Sequence, residues 1–203
     1  INGNNLYLKP TISISQNTDK VASYYPRSDR IEIEERVFSI CRSFGRDSLD
    51  ALAFIIGHEL AHAQLHRDKT THHYLEFDKS VGKDKRTEHE ADIQGLFNAY
   101  LAGYRTFTIL PNLIKKVYQE YDLLNKELPK YPSLNVRQQS TRTTQRKLEE
   151  LIQVYEGANY LSAANQYELA AASYEYIQKL YKGREIYNNL GVNYALRAIN
   201  FTA

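Results

Sequence analysis

The sequence predicts an α+β fold that is mainly α-helical, with a small N-terminal sheet, several helices and a final set of helical hairpins. Residues 11–15 and 30–34, TISIS and RIEIE, alternate between apolar and polar side chains as half-buried strands do. From Glu34 onward, apolar side chains recur at spacings of three and four, which indicates amphipathic helices. The C-terminal part contains a 34-residue repeat, a period typical of stacked helical hairpins.

The composition indicates an ordinary globular protein. The chain has 203 residues, of which 42% are hydrophobic and 25% charged, so it can form one large domain or one domain with an appendage. The net charge of +2 argues against nucleic acid as the main partner. The longest apolar run, at residues 49–61, is shorter than the roughly 18 residues of a membrane span and carries a histidine and a glutamate.

The cysteine content limits the kinds of disulfide and metal site that the chain can form. Cys41 is the single cysteine, so neither an intrachain disulfide nor a cysteine-based zinc site can form. It lies on an apolar helix face and is expected to be a small buried hydrophobic residue. No signal peptide is visible, and the first residue is Ile1, so we expect a fragment or a processed form. A single cysteine is compatible with the periplasm or the cytoplasm.

Turn-forming residues and a glycine mark the ends of the first strands and helices. VASYYP at 21–26 is strand-like, and the following PRSD has the composition of a turn. Gly45 is expected to end the first helix. Ser48 is expected to cap a second helix that runs past His62.

The middle of the chain predicts further helices. Residues 67–86 are polar and are predicted to form a loop. The next helix is expected to start near Thr87 and to end at Gly103, and Pro111 is expected to open another. A polar stretch at 138–145 follows two prolines, so we predict a domain boundary in or just after it.

The predicted domains are therefore residues 1–140 and residues 141–203, and the second contains the repeat. GANYLSAA begins at Gly157, and GVNYALRA begins 34 residues later at Gly191. The period and the L-G-x-x-Y pattern resemble the tetratricopeptide repeat, and an unrelated helical hairpin is the alternative. The second copy stops before its second helix, so we expect the natural protein to continue with more repeats.

The stretch HELAH at residues 58–62 predicts a metal site. His58 and His62 are four residues apart, so both project from one helix face and can bind one metal ion. Glu59 lies beside that face and can act as general base on a water held at the metal. This is the chemistry of H-E-x-x-H helices, which bind one Zn²⁺.

Three candidates for the third ligand follow HELAH. Asp68 lacks a turning glycine before it, since Leu65 stands at that position. His66 is a full turn beyond His62. Glu88 and Asp92 are four residues apart on one helix face, so one can bind the metal while the other accepts the N–H of a ligand histidine. An acidic first turn that only favours the helix dipole is the alternative reading of this pair.

H-E-x-x-H followed by E-x-E-A-D resembles the HtpX-like gluzincin peptidases, a family that includes the CAAX prenyl endopeptidases. Residues 88–104 resemble its third-ligand helix, and residues 21–35 resemble its strand, proline turn and second strand. YPSLNVR resembles a later H-P-x-x-x-x-R element, of which Pro132 and Arg137 are kept. The resemblance covers roughly residues 20–140, and some members carry a C-terminal tetratricopeptide array.

The resemblance implies a zincin-like domain with one zinc ion. It implies that His58, His62 and Glu88 are the zinc ligands. Glu59 would then be the general base, and Asp92 would orient a ligand histidine. It also implies that an extended substrate pairs with the edge strand at Val21, Ala22, Ser23 and Tyr24.

One position departs from the family pattern. Tyr131 stands where the family has a histidine. Its hydroxyl is expected either to donate a hydrogen bond to the oxyanion, as a catalytic group, or to occupy the open zinc position in a latent state.

The sequence thus predicts a zinc-dependent endopeptidase whose repeats recruit a substrate protein or another protein partner. Two alternatives stay open. One is a regulatory protease of the ImmA/IrrE type, which also uses H-E-x-x-H and a later glutamate. The other is a protease-like scaffold without catalytic activity, in which the repeats form the functional surface.

Overall fold

The computed structural model describes residues 9–16, 20–67, 83–124 and 133–201. It is mainly helical with one small three-stranded sheet, as predicted. The described chain divides into two compact units, one up to Gln145 and the other from Arg146. Its elements, in chain order, are strands β1 (Thr11–Ser15), β2 (Ala22–Tyr25) and β3 (Arg30–Glu34) and helices α1 (Glu35–Arg42), α2 (Ser48–Arg67), α3 (Lys83–Leu101), α4 (Leu110–Glu120), α5 (Leu134–Ala163), α6 (Tyr167–Leu180) and α7 (Arg184–Phe201).

Some predicted boundaries were wrong. Helix α3 begins at Lys83, so the last residues of the predicted loop 67–86 are helical. Ser48 is the first residue of α2 and not its cap, because a short 3₁₀ turn at Gly45–Asp47 leads directly into the helix. The three strands match their predicted positions to within one residue.

The polar stretch 138–145 lies inside α5. Two of its threonines, Thr141 and Thr144, are buried. Their hydroxyls donate hydrogen bonds to the carbonyls of Arg137 and Ser140, four residues earlier in each case. These local bonds satisfy the buried hydroxyls, so a sequence that looks like a linker packs as a helix.

The sheet has the order β1-β3-β2, so β2 is at one edge. It runs antiparallel to β3, with Ser23 paired to Glu32. The carbonyl of Val21 accepts a hydrogen bond from the backbone N–H of Glu34. Because partners alternate along an antiparallel pair, the backbone groups of Val21, Ser23 and Tyr25 face β3. The N–H and C=O groups of Ala22 and Tyr24 therefore face away from the sheet.

Helices α2 and α3 cross with their backbones in contact. A Cβ atom added to Gly57 would lie 2.6 Å from the carbonyl oxygen of Gly95. A Cβ atom added to Gly95 would lie 2.7 Å from the backbone nitrogen of His58. Only glycine at both positions permits this approach. The close crossing places the HELAH residues of α2 directly against α3.

The second unit is a set of consecutive helices. Ala170, Tyr174 and Ile177 of α6 are buried, as are Ile186 and Leu190 of α7. The tyrosine shared by the two repeat copies, Tyr160 and Tyr194, is by contrast exposed. Among all described helices, none has the combined length and apolar character of a membrane span.

We predict that Gly57→Ala lowers the stability of the protein. The new methyl group meets backbone atoms that cannot rotate away, and overpacking of this kind costs about 1–3 kcal/mol. Thermal unfolding should show a lower melting temperature. Gly191→Ala is the matched control, because a Cβ atom at that helical position meets nothing within 4 Å. It should be neutral or stabilising by up to about 1 kcal/mol, and equal melting temperatures for the two variants would contradict the close crossing.

Candidate metal centre

The crossing of α2 and α3 brings His58, His62 and Glu88 together. The Nε2 atoms of the two histidines lie 3.0 Å apart. Oε2 of Glu88 is 3.5 Å from Nε2 of His58, and its Oε1 is 3.3 Å from Nε2 of His62. Among the described residues, this is the group of His, Cys, Asp and Glu side chains whose ligand atoms are close enough to share a metal ion.

The separations fit a metal of the size of zinc. Ligand atoms about 2.0–2.1 Å from a tetrahedral zinc ion are roughly 3.3 Å from one another. The two histidine nitrogens are 3.0 Å apart, and the two different oxygens of Glu88 lie 3.5 Å from that of His58 and 3.3 Å from that of His62, so all three separations are close to this value. Two imidazole nitrogens and one carboxylate oxygen are also a ligand set that zinc accepts, with one position left for water or substrate. The residues therefore fit the metal implied by the sequence.

Asp92 lies one turn after Glu88 on α3 and contacts the other ring nitrogen of His58. Its Oδ1 is 2.8 Å from His58 Nδ1. The distance is that of an ion pair, although the ring N–H does not point directly at this oxygen. A carboxylate at Nδ1 keeps the proton there and leaves Nε2 for a metal. The expected roles of Glu88 as ligand and Asp92 as the residue that orients His58 stay predictions.

Arg137, in the first turns of α5, joins the same cluster. Its Nη2 is 2.8 Å from Oδ1 of Asp92, and its Nη1 is 3.6 Å from Oε2 of Glu88. The sequence resemblance marked Arg137 as a kept residue but assigned it no role. Acidic residues predicted to share a buried site require a nearby cation, and that requirement was the available signal.

Charge governs the protonation of the cluster. Burial lowers the pKa of His58, but the contacts with Asp92 and Glu88 outweigh burial and raise this pKa to about 10. Burial raises the pKa of Asp92, but the Arg137 guanidinium and His58 outweigh burial and hold it below its ordinary value. In the same way, hydrogen bonds from His58 and His62 outweigh burial and hold the pKa of Glu88 well below its usual range.

Glu59 lies beside the metal ligands and is buried. Burial raises the pKa of its carboxyl group, against the opposing effect of His58 and His62. The backbone N–H of Tyr24 donates a hydrogen bond to this carboxylate. That N–H is one of the groups of β2 that face away from β3. The candidate base and the predicted substrate-binding strand are therefore in direct contact.

The remaining candidates lie around this centre or outside the described residues. His66 is exposed, and its ring lies against that of Tyr24 with 6.4 Å between centroids. It makes no part of the ligand group described above. Tyr131 and Asp68 lie outside the described residues, so their predicted roles stay predictions.

Cys41 is buried on α1, as predicted. Burial raises the pKa of its thiol to about 11, so the reactive thiolate is scarce at neutral pH. The cysteine therefore acts as a small packing residue.

Comparisons with known proteins add no family assignment. The chain matches no protein-family model, and no curated protein or solved structure is significantly similar to it. The interpretation of the metal centre rests on its geometry and its residues.

We predict that zinc binding at neutral pH releases about one proton from the protein. The pKa of His58 is raised from its ordinary value of 6.5 to about 10, so the metal-free imidazole holds two protons through this pH range. Zinc needs the lone pair of Nε2, so that proton must leave. The apparent zinc affinity should accordingly increase as pH rises towards 10 and fall at lower pH.

Calorimetric titration with zinc in buffers of different ionisation enthalpy measures the proton count. Asp92→Asn removes the carboxylate that is the strongest stabiliser of the His58 proton, so proton release at pH 8 should decrease. Zinc binding without proton release in the unchanged protein would show that His58 is neutral before the metal binds.

Proposed function

We propose that this protein is a zinc-dependent endopeptidase with a zincin-like unit and tetratricopeptide-type helical repeats. The observation that carries the proposal is the meeting of His58, His62 and Glu88 ligand atoms beside a buried Glu59 that contacts the edge strand. A zinc ion bound there would lower the pKa of a water molecule and polarise a substrate carbonyl group.

Glu59 is the general base in this proposal. Its carboxylate takes a proton from the attacking water and can return it to the leaving nitrogen of the cleaved peptide. Burial supports this role, because it raises the pKa of the carboxyl group towards the range where a proton is both accepted and released. Asp92 holds the Nδ1 proton of His58 throughout.

The substrate is an extended peptide segment that adds to β2. The N–H and C=O groups of Ala22 and Tyr24 face away from β3, which is the pattern that an added strand needs. The strand contacts Glu59 through Tyr24, so a peptide paired with it would pass the base. Val21 and Ser23 support the edge by their pairing with β3. Tyr131 is proposed to stabilise the oxyanion or to occupy the metal position in a latent state.

The second unit is proposed to recruit a substrate protein or another protein partner. Ala170 and Tyr174 are buried between its helices. Several aromatic side chains stay exposed on the same helices, among them Tyr160, Tyr176, Tyr187 and Tyr194. Exposed tyrosines are common in protein-binding surfaces, because they offer large contact area with a polar tip.

We predict that Glu59→Gln abolishes peptide cleavage while zinc stays bound. The amide cannot accept a proton, so the rate should fall by roughly 10²–10⁴-fold. Cleavage of an unfolded protein substrate and metal analysis of the same sample measure both properties. Glu88→Gln should by contrast lose zinc as well as activity, because the amide is a poorer ligand than a carboxylate.

Glu150→Gln, an exposed change in the second unit, is the control and should retain both properties. Cleavage by Glu59→Gln at the rate of the unchanged protein would contradict the proposed mechanism. A protein that neither binds zinc nor cleaves peptides after zinc addition would instead support the scaffold alternative.

We predict that Ala22→Pro weakens substrate binding without unfolding the sheet. Proline lacks the N–H that faces away from β3, so it removes one bond to an added strand but none to β3. The KM for a peptide substrate should rise about five- to tenfold, with a smaller change in kcat. Ser23→Pro is the matched control, since its N–H faces β3 and its loss should destabilise the protein. An unchanged KM for Ala22→Pro would show that the substrate does not pair with β2.

A further inference from the structure

Arg137 is a buried cation in a cluster of carboxylates. Its side chain is 12% exposed. Glu59, Glu88 and Asp92 surround the candidate metal position, and Arg137 contacts the last two. Desolvation of a guanidinium costs several kcal/mol, and an apolar residue of similar volume would often be at least as stable. The presence of an arginine at this position therefore points to a purpose other than packing.

Arg137 contacts one oxygen of each of the two carboxylates, Asp92 and Glu88. Oδ1 of Asp92 lies 2.8 Å from both Nη2 of Arg137 and Nδ1 of His58, so one oxygen is held from two sides. Oε2 of Glu88 lies 3.6 Å from Nη1 of Arg137 and 3.5 Å from Nε2 of His58, while Oε1 lies 3.3 Å from Nε2 of His62. The rigid fork of a guanidinium can hold two carboxylates at fixed separation, which a lysine cannot do.

The helix that carries Arg137, α5, also contacts α3 beside Glu88. One turn later, the hydroxyl of Ser140 lies 2.8 Å from Nδ1 of His89, the residue next to Glu88. The hydroxyl of Thr144 lies 3.3 Å from the same ring nitrogen. The Nε of Arg137 is buried and makes no hydrogen bond of its own, so the carboxylate contacts are what orient the guanidinium.

We propose that Arg137 is a positioning residue of the metal centre, which fixes Asp92 and Glu88 in the orientation that the metal requires. This inference rests on the proposed function, because it assumes that His58, His62 and Glu88 bind zinc. Arg137 acts through the two acids that it contacts. With it, the three carboxylates and the guanidinium leave two net negative charges, which match a divalent cation.

Zinc affinity separates positioning from simple neutralisation of charge. If Arg137 only balanced the acids, its removal would leave more negative charge and zinc affinity would stay equal or rise. If it positions them, Arg137→Gln should lower zinc affinity about 10–100-fold, the range for residues that support metal ligands. Arg137→Lys should recover only part of this loss, because it restores the charge without the fork.

The experiment measures zinc affinity by competition with a chromophoric chelator, and the ligand geometry by the visible absorption of the cobalt-substituted protein. Arg142→Gln is the matched control on the exposed side of α5 and should change neither. In the Asp92→Asn background, Arg137→Gln should cost less than about threefold in further affinity, because its main contact is already lost. A changed cobalt spectrum in Arg137→Gln completes the expected result.

Two results would overturn the inference. One is an unchanged or higher zinc affinity of Arg137→Gln, and the other is an equal loss with and without Asp92→Asn. If Arg137→Gln does not fold, Arg137→Lys decides, and wild-type zinc affinity in that variant overturns the role of the fork. Failure of the proposed function would give a different result, because the unchanged protein would then bind no zinc.

Discussion

The contact between the backbones of α2 and α3 is the constraint from which the site follows. Gly57 and Gly95 let the helices approach until side chains on the two facing turns interleave. His58 follows Gly57 directly, and Asp92 precedes Gly95 by three residues, close to one helical turn. Glu88 lies one further turn back. A bulkier residue at either glycine would separate the histidines from the acids, and no change of rotamer could restore the distances.

The charges at the crossing set a second constraint. Removing one partner of a buried ion pair costs roughly 3–5 kcal/mol, whereas replacing the whole pair by apolar residues is often neutral. Removing one member of the cluster of His58, Asp92 and Arg137 is therefore expected to be costly. Protonation of this cluster would also oppose the proposed metal, because the same acids that contact His58 hold a second proton on it. A metal ion and a proton would compete for the lone pair of Nε2.

Local periodicity made much of the structure predictable. The alternation in TISIS and RIEIE marked the strands, and the spacing of four in His58 and His62, and again in Glu88 and Asp92, marked two helix faces. The missed features depend on contacts between distant segments. A glycine inside a helix looks like a weakness until its crossing partner is known. Composition also does not show that the polar stretch in α5 is helical, because its buried threonines bond to backbone carbonyls within the helix.

One backbone group connects the two halves of the proposed chemistry. The N–H of Tyr24 faces away from β3 and donates to the carboxylate of Glu59. A strand added to β2 needs the outward groups of Ala22 and Tyr24. A bound peptide and the carboxylate of Glu59 would therefore both need the N–H of Tyr24. Substrate pairing would thus release Glu59 from the strand at the moment when a peptide carbonyl comes within its reach. In the proposed mechanism the edge strand would therefore act on the base as well as on the substrate, because the outward N–H of Tyr24 serves both.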